Sequence, residues 1–112
     1  MSIPPEQLEV ADFLRDLSGA TPKETHISAV FIGKDTVWKL KKAVRLPFLD
    51  FTSLSARRYF LQRELTLNQP AAPEIYRDVA TVVRRSDGSL AVSADESETP
   101  IDWVLRMAPI PE

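Results

Sequence analysis

The chain has 112 residues, of which 44% are apolar and 27% charged, and its formal net charge at pH 7 is −2. This composition describes one folded domain with a modest core rather than a disordered segment, and the near-neutral charge predicts no general affinity for nucleic acid. The absence of cysteine excludes disulfides and thiolate metal sites and accords with a reducing, cytoplasmic compartment.

The start, Met1-Ser2-Ile3-Pro4-Pro5-Glu6, has neither a basic region nor a long apolar run, so it does not read as a signal peptide. No stretch reaches the ~20 apolar residues that span a bilayer, and no membrane partner is expected. Residues 3–17 predict a helix within an N-terminal segment spanning 1–20. Pro4 and Pro5 suit its first turn, and Glu6 and Glu9 complement its dipole. Leu8, Ala11, Leu14 and Leu17 recur at helical spacing with Val10 and Phe13 beside them, and Ser18-Gly19 ends the run. This helix is expected to pack on a sheet.

Residues 23–44 predict strands. A short strand leads to a bend at His26-Ile27-Ser28, then to a strand through Val30-Phe31-Ile32, a hairpin turn at Gly33-Lys34-Asp35, and a further strand over 36–44. Alternation in that last strand puts Trp38 and Leu40 on one face and Val37, Lys39 and Lys41 on the other. Pro47 keeps 45–51 extended, and the large apolar side chains there are expected under the next helix. That helix is predicted over 52–69, capped by Thr52 or Ser53 and stopped by Pro70. Leu54, Leu61 and Leu65 form its buried stripe, with Phe60, Glu64, Leu67 and Asn68 on the adjacent flank. Arg57, Arg58 and Arg63 are expected in solvent. After a loop at Ala71-Ala72-Pro73, the segment 79–110 predicts a hairpin turning at Ser86-Asp87-Gly88, an acidic exposed loop at Asp95-Glu96-Ser97-Glu98, a last strand over 101–107, and an extended tail through Ala108-Pro109-Ile110-Pro111. The sum is an α+β domain over 1–112 with an antiparallel sheet of five or six strands.

The order strand, bend, strand, lysine strand, glutamate helix, hairpin, strand resembles the N-terminal lobe of protein-kinase-like enzymes. Within these it is most similar to the aminoglycoside phosphotransferase family, in the branch often joined to a P-loop ATPase. The residues that carry the resemblance are Glu24-Thr25-His26-Ile27-Ser28, Val37-Trp38-Lys39-Leu40-Lys41-Lys42, Phe48-Leu49-Asp50-Phe51 and Arg63-Glu64-Leu65-Thr66-Leu67-Asn68. Tyr76 and Val104-Leu105-Arg106-Met107 match less specifically. The resemblance implies that Lys39 neutralises nucleotide phosphates and that Glu64 positions it. Val37, two residues earlier, fits the small apolar position of such strands, which Lys41 as the key lysine would fill with a charge. Residues 25–28 fall where the phosphate-covering loop belongs, so backbone N–H groups and the Ser28 hydroxyl are expected near phosphates. Met107 and Ala108 fall at the adenine-bonding hinge.

The resemblance has departures. The covering loop has no glycine, and no catalytic-loop or metal-binding aspartate motif follows the hinge. The expectation is therefore a nucleotide-phosphate-binding small lobe of an ATP-dependent phosphotransferase, using ATP and Mg²⁺ only with a C-terminal lobe from a longer chain. The ending Pro109-Ile110-Pro111-Glu112 reads as a cut at a linker. The rival expectation is a non-catalytic kinase-like module for protein interaction or regulation. By itself the chain is expected to be inactive, to bind nucleotide weakly, and to self-associate through apolar surface near Val37, Leu105 and Ile110. Lys39 and Glu64 are expected within salt-bridge reach. Lys41 and Lys42 are expected to be solvated on the sheet rim, as are Arg84 and Arg85 on an edge. Trp38 and Trp103 read as core, and His26 has no partners at ligand spacing.

Overall fold

The computed structural model describes residues 2–95 and 97–110. Met1, Glu96 of the acidic loop, and Pro111 and Glu112 of the expected tail lie outside the described residues. The architecture is α+β. Strands β1 (Lys23–Glu24), β2 (Ser28–Ile32), β3 (Val37–Lys41), β4 (Tyr76–Arg84), β5 (Leu90–Ser93) and β6 (Asp102–Met107) form one antiparallel sheet in the order β1-β2-β3-β6-β4-β5. The last strand in sequence is thus inserted between β3 and β4, where both of its edges are paired. No described helix is long and apolar enough to cross a membrane.

Helix α1 (Leu8–Ser18) covers one face of the sheet and α2 (Leu54–Asn68) the other. Alternation assigns the two cores. Ala29, Phe31, Leu40, Ala80, Val82 and Val104 meet Val10, Ala11 and Leu14 of α1. Trp103 and Leu105 meet Leu61 and Leu65 of α2. A side chain as fully buried as Leu61 contributes about 1.5–3 kcal/mol of transfer free energy. Both tryptophans pack as expected, Trp103 buried and Trp38 half-buried against the first core.

The first helix departs from its predicted phase. A 3-10 turn at Pro5–Gln7 precedes it, and Leu8 and Leu17 are about half exposed at 50% and 48%. Gln7 takes the inward position instead. Its Nε2 donates to the Lys41 carbonyl and to Asp102 Oδ2, both at 2.9 Å, and its Oε1 accepts from the Ala43 N–H at 2.7 Å. Those three bonds fix the rotation of the helix entry, so the buried stripe runs through Gln7, Val10, Ala11 and Leu14. Gly19 closes the helix at φ 70°, a conformation open to glycine at little cost.

Strand β3 is also shorter than predicted, because Lys42, Ala43 and Val44 leave the ladder; the Lys42 N–H instead donates to the Ile27 carbonyl at 2.8 Å. In the 45–51 connection only Phe51 is buried, and Phe48 is 95% exposed. The backbone groups of Leu46 and Leu49 bond each other, and Arg45 bridges Asp50. That tight turn lifts Phe48 to its tip while Phe51 packs edge-on against Phe60, with 5.0 Å between ring centroids. The β2–β3 turn begins at Gly33, where a Cβ would stand 2.8 Å from the Thr36 carbonyl oxygen, so only glycine fits without a shift.

Candidate functional site

The α2 face of the sheet is graded along its strands. Cross-strand register places Val30 opposite Lys39 and Ser28 opposite Lys41 on β2–β3, and Val37 opposite Met107 and Lys39 opposite Leu105 on β3–β6. Residues opposite one another share a face. One end is therefore apolar (Ile32, Val30, Val37, Met107), and the charged positions Lys39 and Lys41 follow at steps of about 6.6 Å.

Helix α2 brings Glu64 over this face. Ser53 caps the helix by accepting the Ala56 N–H at 3.1 Å. Arg57, Leu61, Glu64 and Leu65 then fall on the sheet side at helical spacing. Lys39 Nζ sits 3.0 Å from both Glu64 Oε1 and Oε2, with side-chain exposures of 23% and 21%. The pair is sheltered but open on one side, so an incoming anion can reach the ammonium while the carboxylate still holds it.

Lys41 and Lys42 are not solvated, contrary to the sequence expectation. Lys42 is 1% exposed, and its Nζ lies 2.8 Å from Glu24 Oε1. The alignment there is too poor for a hydrogen bond, so the contact is an ion pair held by charge alone. Lys41 is 6% exposed, with its Nζ 5.0 Å from the centre of the Phe51 ring. Burial pushes the Lys41 ammonium below the usual lysine range, the neighbouring Lys39 pushes it further, and Glu64 opposes both. The physical reasons differ: the chain after β3 folds back over its end and brings Phe51 onto Lys41, whereas Lys42 meets Glu24 of β1.

Ser28 is 3% exposed, and its Oγ has no hydrogen-bond partner. The preceding loop is not the anion nest that was expected. Thr25 N–H donates to the Ser28 carbonyl at 2.9 Å, and the Ile27 and Ser28 N–H groups donate to Thr25 Oγ1 at 3.3 and 3.0 Å. Those donors are consumed within the loop, which leaves the Ser28 hydroxyl as the group directed at the sheet face. His26 is exposed.

A cleft of about 480 Å³ adjoins the Lys39–Glu64 pair at the apolar end and is lined by Val30, Ile32, Val37, Tyr76, Met107 and Ala108. Its size and lining suit a planar organic ring, within the 300–1,000 Å³ range of small-molecule sites. The Ala108 N–H already donates to the Ile75 carbonyl at 2.7 Å, so it is not a free donor to a base. Val37 and Leu105 are buried at 8% and 0% exposure, so the expected open apolar surface narrows to Ile110 at 76%. A larger hollow of about 540 Å³ lies along Tyr59, Gln62, Arg63 and Thr66, on the side of α2 turned away from the pair, and is not part of this site. Among the described residues, no group of three or more carboxylates or histidines is placed to hold a metal ion.

A second constellation was missed by sequence reasoning. Arg57, expected in solvent, is buried, and its Nε donates to Asp102 Oδ1 at 3.1 Å. One guanidinium nitrogen, Nη1, donates to the carbonyls of Phe51 and Thr52, both at 2.9 Å. Asp102 also accepts from Gln7 Nε2 and from the Trp103 N–H. This knot ties the 3-10 turn before α1, the 45–51 connection, α2 and β6 together, and so fixes the position from which Glu64 reaches Lys39. Arg84 and Arg85 are likewise paired, with Glu9 and Glu98.

Comparison with protein-family models, with curated proteins and with solved structures gives no match to this chain.

Proposed function

We propose that this chain is the nucleotide-phosphate-binding small lobe of an ATP-dependent phosphotransferase of the cytoplasm, similar in kind to the aminoglycoside phosphotransferases. The observation that carries the reading is the Lys39–Glu64 pair: an ammonium 3.0 Å from both oxygens of a carboxylate, on the sheet face that continues into the apolar cleft. In this reading the nucleotide base occupies the cleft against Val30, Val37 and Met107. Lys39 neutralises phosphate oxygens, and Glu64 holds its rotamer so that little order is lost on binding. ATP supplies the transferable phosphoryl group. A C-terminal lobe supplies the facing wall, the residues that hold Mg²⁺ and the base that activates the acceptor. With one wall only, the chain by itself binds ATP weakly.

The test is a titration of the isotope-labelled protein with ATP to several millimolar, followed by amide NMR. Shifts are expected at Val30, Val37, Tyr76 and Met107. Lys39→Met should weaken binding at least about fivefold, which corresponds to the ~1 kcal/mol of one ammonium–phosphate contact in high dielectric. Shifts confined to other surfaces, or an affinity indifferent to Lys39, would refute the assignment.

A further inference from the structure

The hollow of about 540 Å³ on the outer side of α2 is lined only by residues of that helix. They form two adjacent rows at a spacing of four: Ser55, Tyr59, Arg63 and Leu67 in one, Arg58, Gln62 and Thr66 in the other. Rows at that spacing are the ridges of a helix surface, and the furrow between two of them receives a ridge of a second helix. Tyr59 and Leu67 are 56% and 66% exposed. Two large apolar groups thus stand about 12 Å apart along the helix, on a side that a surface helix ordinarily keeps polar.

Charge decides what kind of helix fits. Arg15, Arg57, Arg84, Arg85 and Arg106 are each paired with a carboxylate. Arg77 is bonded to Thr36 and to the Asp35 carbonyl, Arg45 acts on Asp50 by its charge, and Arg58 lies 5.2 Å over the Trp103 ring. Arg63, exposed midway between Tyr59 and Leu67, has no partner among the described residues, and no carboxylate lines the hollow. The chain's other helix does not supply the complement. Leu8 and Leu17, the exposed leucines of α1, are nine residues apart and so on opposite sides of it, while its Glu9 and Asp12 already hold Arg84 and Arg15.

We propose that the outer face of α2 docks an acidic amphipathic helix of another protein, which lays apolar side chains two turns apart against Tyr59 and Leu67 and a carboxylate between them against Arg63. The bound ridge takes the tyrosine ring and the leucine out of water and gives Arg63 its counter-charge. The hollow is turned away from Glu64, so a docked helix leaves the Lys39–Glu64 pair and its cleft open, and the proposal stands apart from the nucleotide reading.

The experiment titrates the isotope-labelled chain with a synthetic alanine-based peptide of about 18 residues, long enough to form helix in water, that carries leucines two turns apart with glutamates between them. A peptide with lysines in place of the glutamates is the control. Amide shifts are expected at Tyr59, Arg63, Thr66 and Leu67, with the glutamate peptide binding at least about threefold more tightly than the lysine peptide. Arg63→Glu, a change at an exposed position, should reverse that preference, since it turns an attraction into a repulsion of similar size. Leu67→Ala should weaken both peptides by about two- to fivefold. No shift at several millimolar peptide, shifts confined to other residues, equal binding of the two peptides, or a preference indifferent to Arg63→Glu overturns the proposal. So does a shift of the same four amides on concentrating the chain alone, which makes a second copy the occupant, or a stronger response of those amides to vesicles of anionic phospholipid than to the glutamate peptide, which makes the face a membrane surface.

Discussion

Arg57–Asp102 and Lys39–Glu64 both join helix α2 to the sheet, two helical turns apart on the same face. Arg57–Asp102 is closed: side-chain exposures are 6% and 2%, and neighbouring backbone groups and Gln7 satisfy much of the remaining hydrogen-bonding capacity. Lys39–Glu64 is open: each side chain keeps about a fifth of its surface in solvent, and an apolar cleft begins beside it. The first is built as a joint, since a buried charge survives only when its hydrogen bonds are completed. The second holds its ammonium in place yet leaves it reachable, as the proposed phosphate contact requires. The difference separates where α2 is anchored from where the proposed function would place phosphate, and each of the following variants probes one side of it.

The largest effect is expected at the closed pair. Asp102→Ala removes the acceptor for Arg57 Nε and Gln7 Nε2 and leaves a buried guanidinium without its counter-charge. Breaking one side of such a pair costs about 3–5 kcal/mol, a large share of the 5–15 kcal/mol typical of a domain's stability. Urea denaturation should show that loss, or no folded protein at all. A loss under about 1 kcal/mol would mean that Asp102 is a bystander and that α2 is anchored by Leu61 and Leu65 alone.

Arg57→Lys should have an intermediate effect. It keeps the charge but loses the planar fork that reaches Asp102 and two carbonyls at once. The expected cost is about 1–3 kcal/mol, and the Lys39–Glu64 contact should loosen with it, because the first turn of α2 loses its tether. Stability unchanged by this substitution would show that charge alone, not the fork, holds the joint.

The open pair was legible in the sequence and the closed one was not, for physical reasons. Strand alternation in Val37-Trp38-Lys39-Leu40-Lys41 and the helical position of Glu64 relative to Leu61 and Leu65 are local periodicities, and they put Lys39 and Glu64 on facing surfaces. The antiparallel α+β sheet followed from the same local signals. The Arg57–Asp102–Gln7 knot joins residues 45 and 95 positions apart, and no local pattern marks a charge whose burial is made affordable by distant partners. A weak cue did exist: Arg57 fills the slot between Leu54 and Leu61 in the apolar stripe, and Asp102 interrupts the apolar run Ile101-Asp102-Trp103-Val104. Lys41 and Lys42 were misjudged for the same reason, because Phe51 and Glu24 reach them only once the chain has folded back. Phe48 failed in the opposite sense, since a four-residue turn rather than hydrophobicity decided its exposure.

The smallest effect, and the sharpest test of the contrast, is expected at the open pair. A double-mutant cycle of Lys39→Met and Glu64→Gln isolates their coupling, because each change removes the contact while keeping most of the side-chain volume. Two long side chains partly in solvent gain modest Coulomb energy and lose rotamer freedom in holding one geometry. The coupling in folding stability should therefore be about 0.2–1 kcal/mol, and it should shrink further at high salt. In nucleotide affinity the same cycle should be strongly non-additive, because Glu64 acts on phosphate only through Lys39: once Lys39 is methionine, Glu64→Gln should change ATP affinity little. A stability coupling above about 2 kcal/mol would place Lys39–Glu64 in the class of Arg57–Asp102. It would then be a second anchor of α2, and its open side would lose its functional rationale.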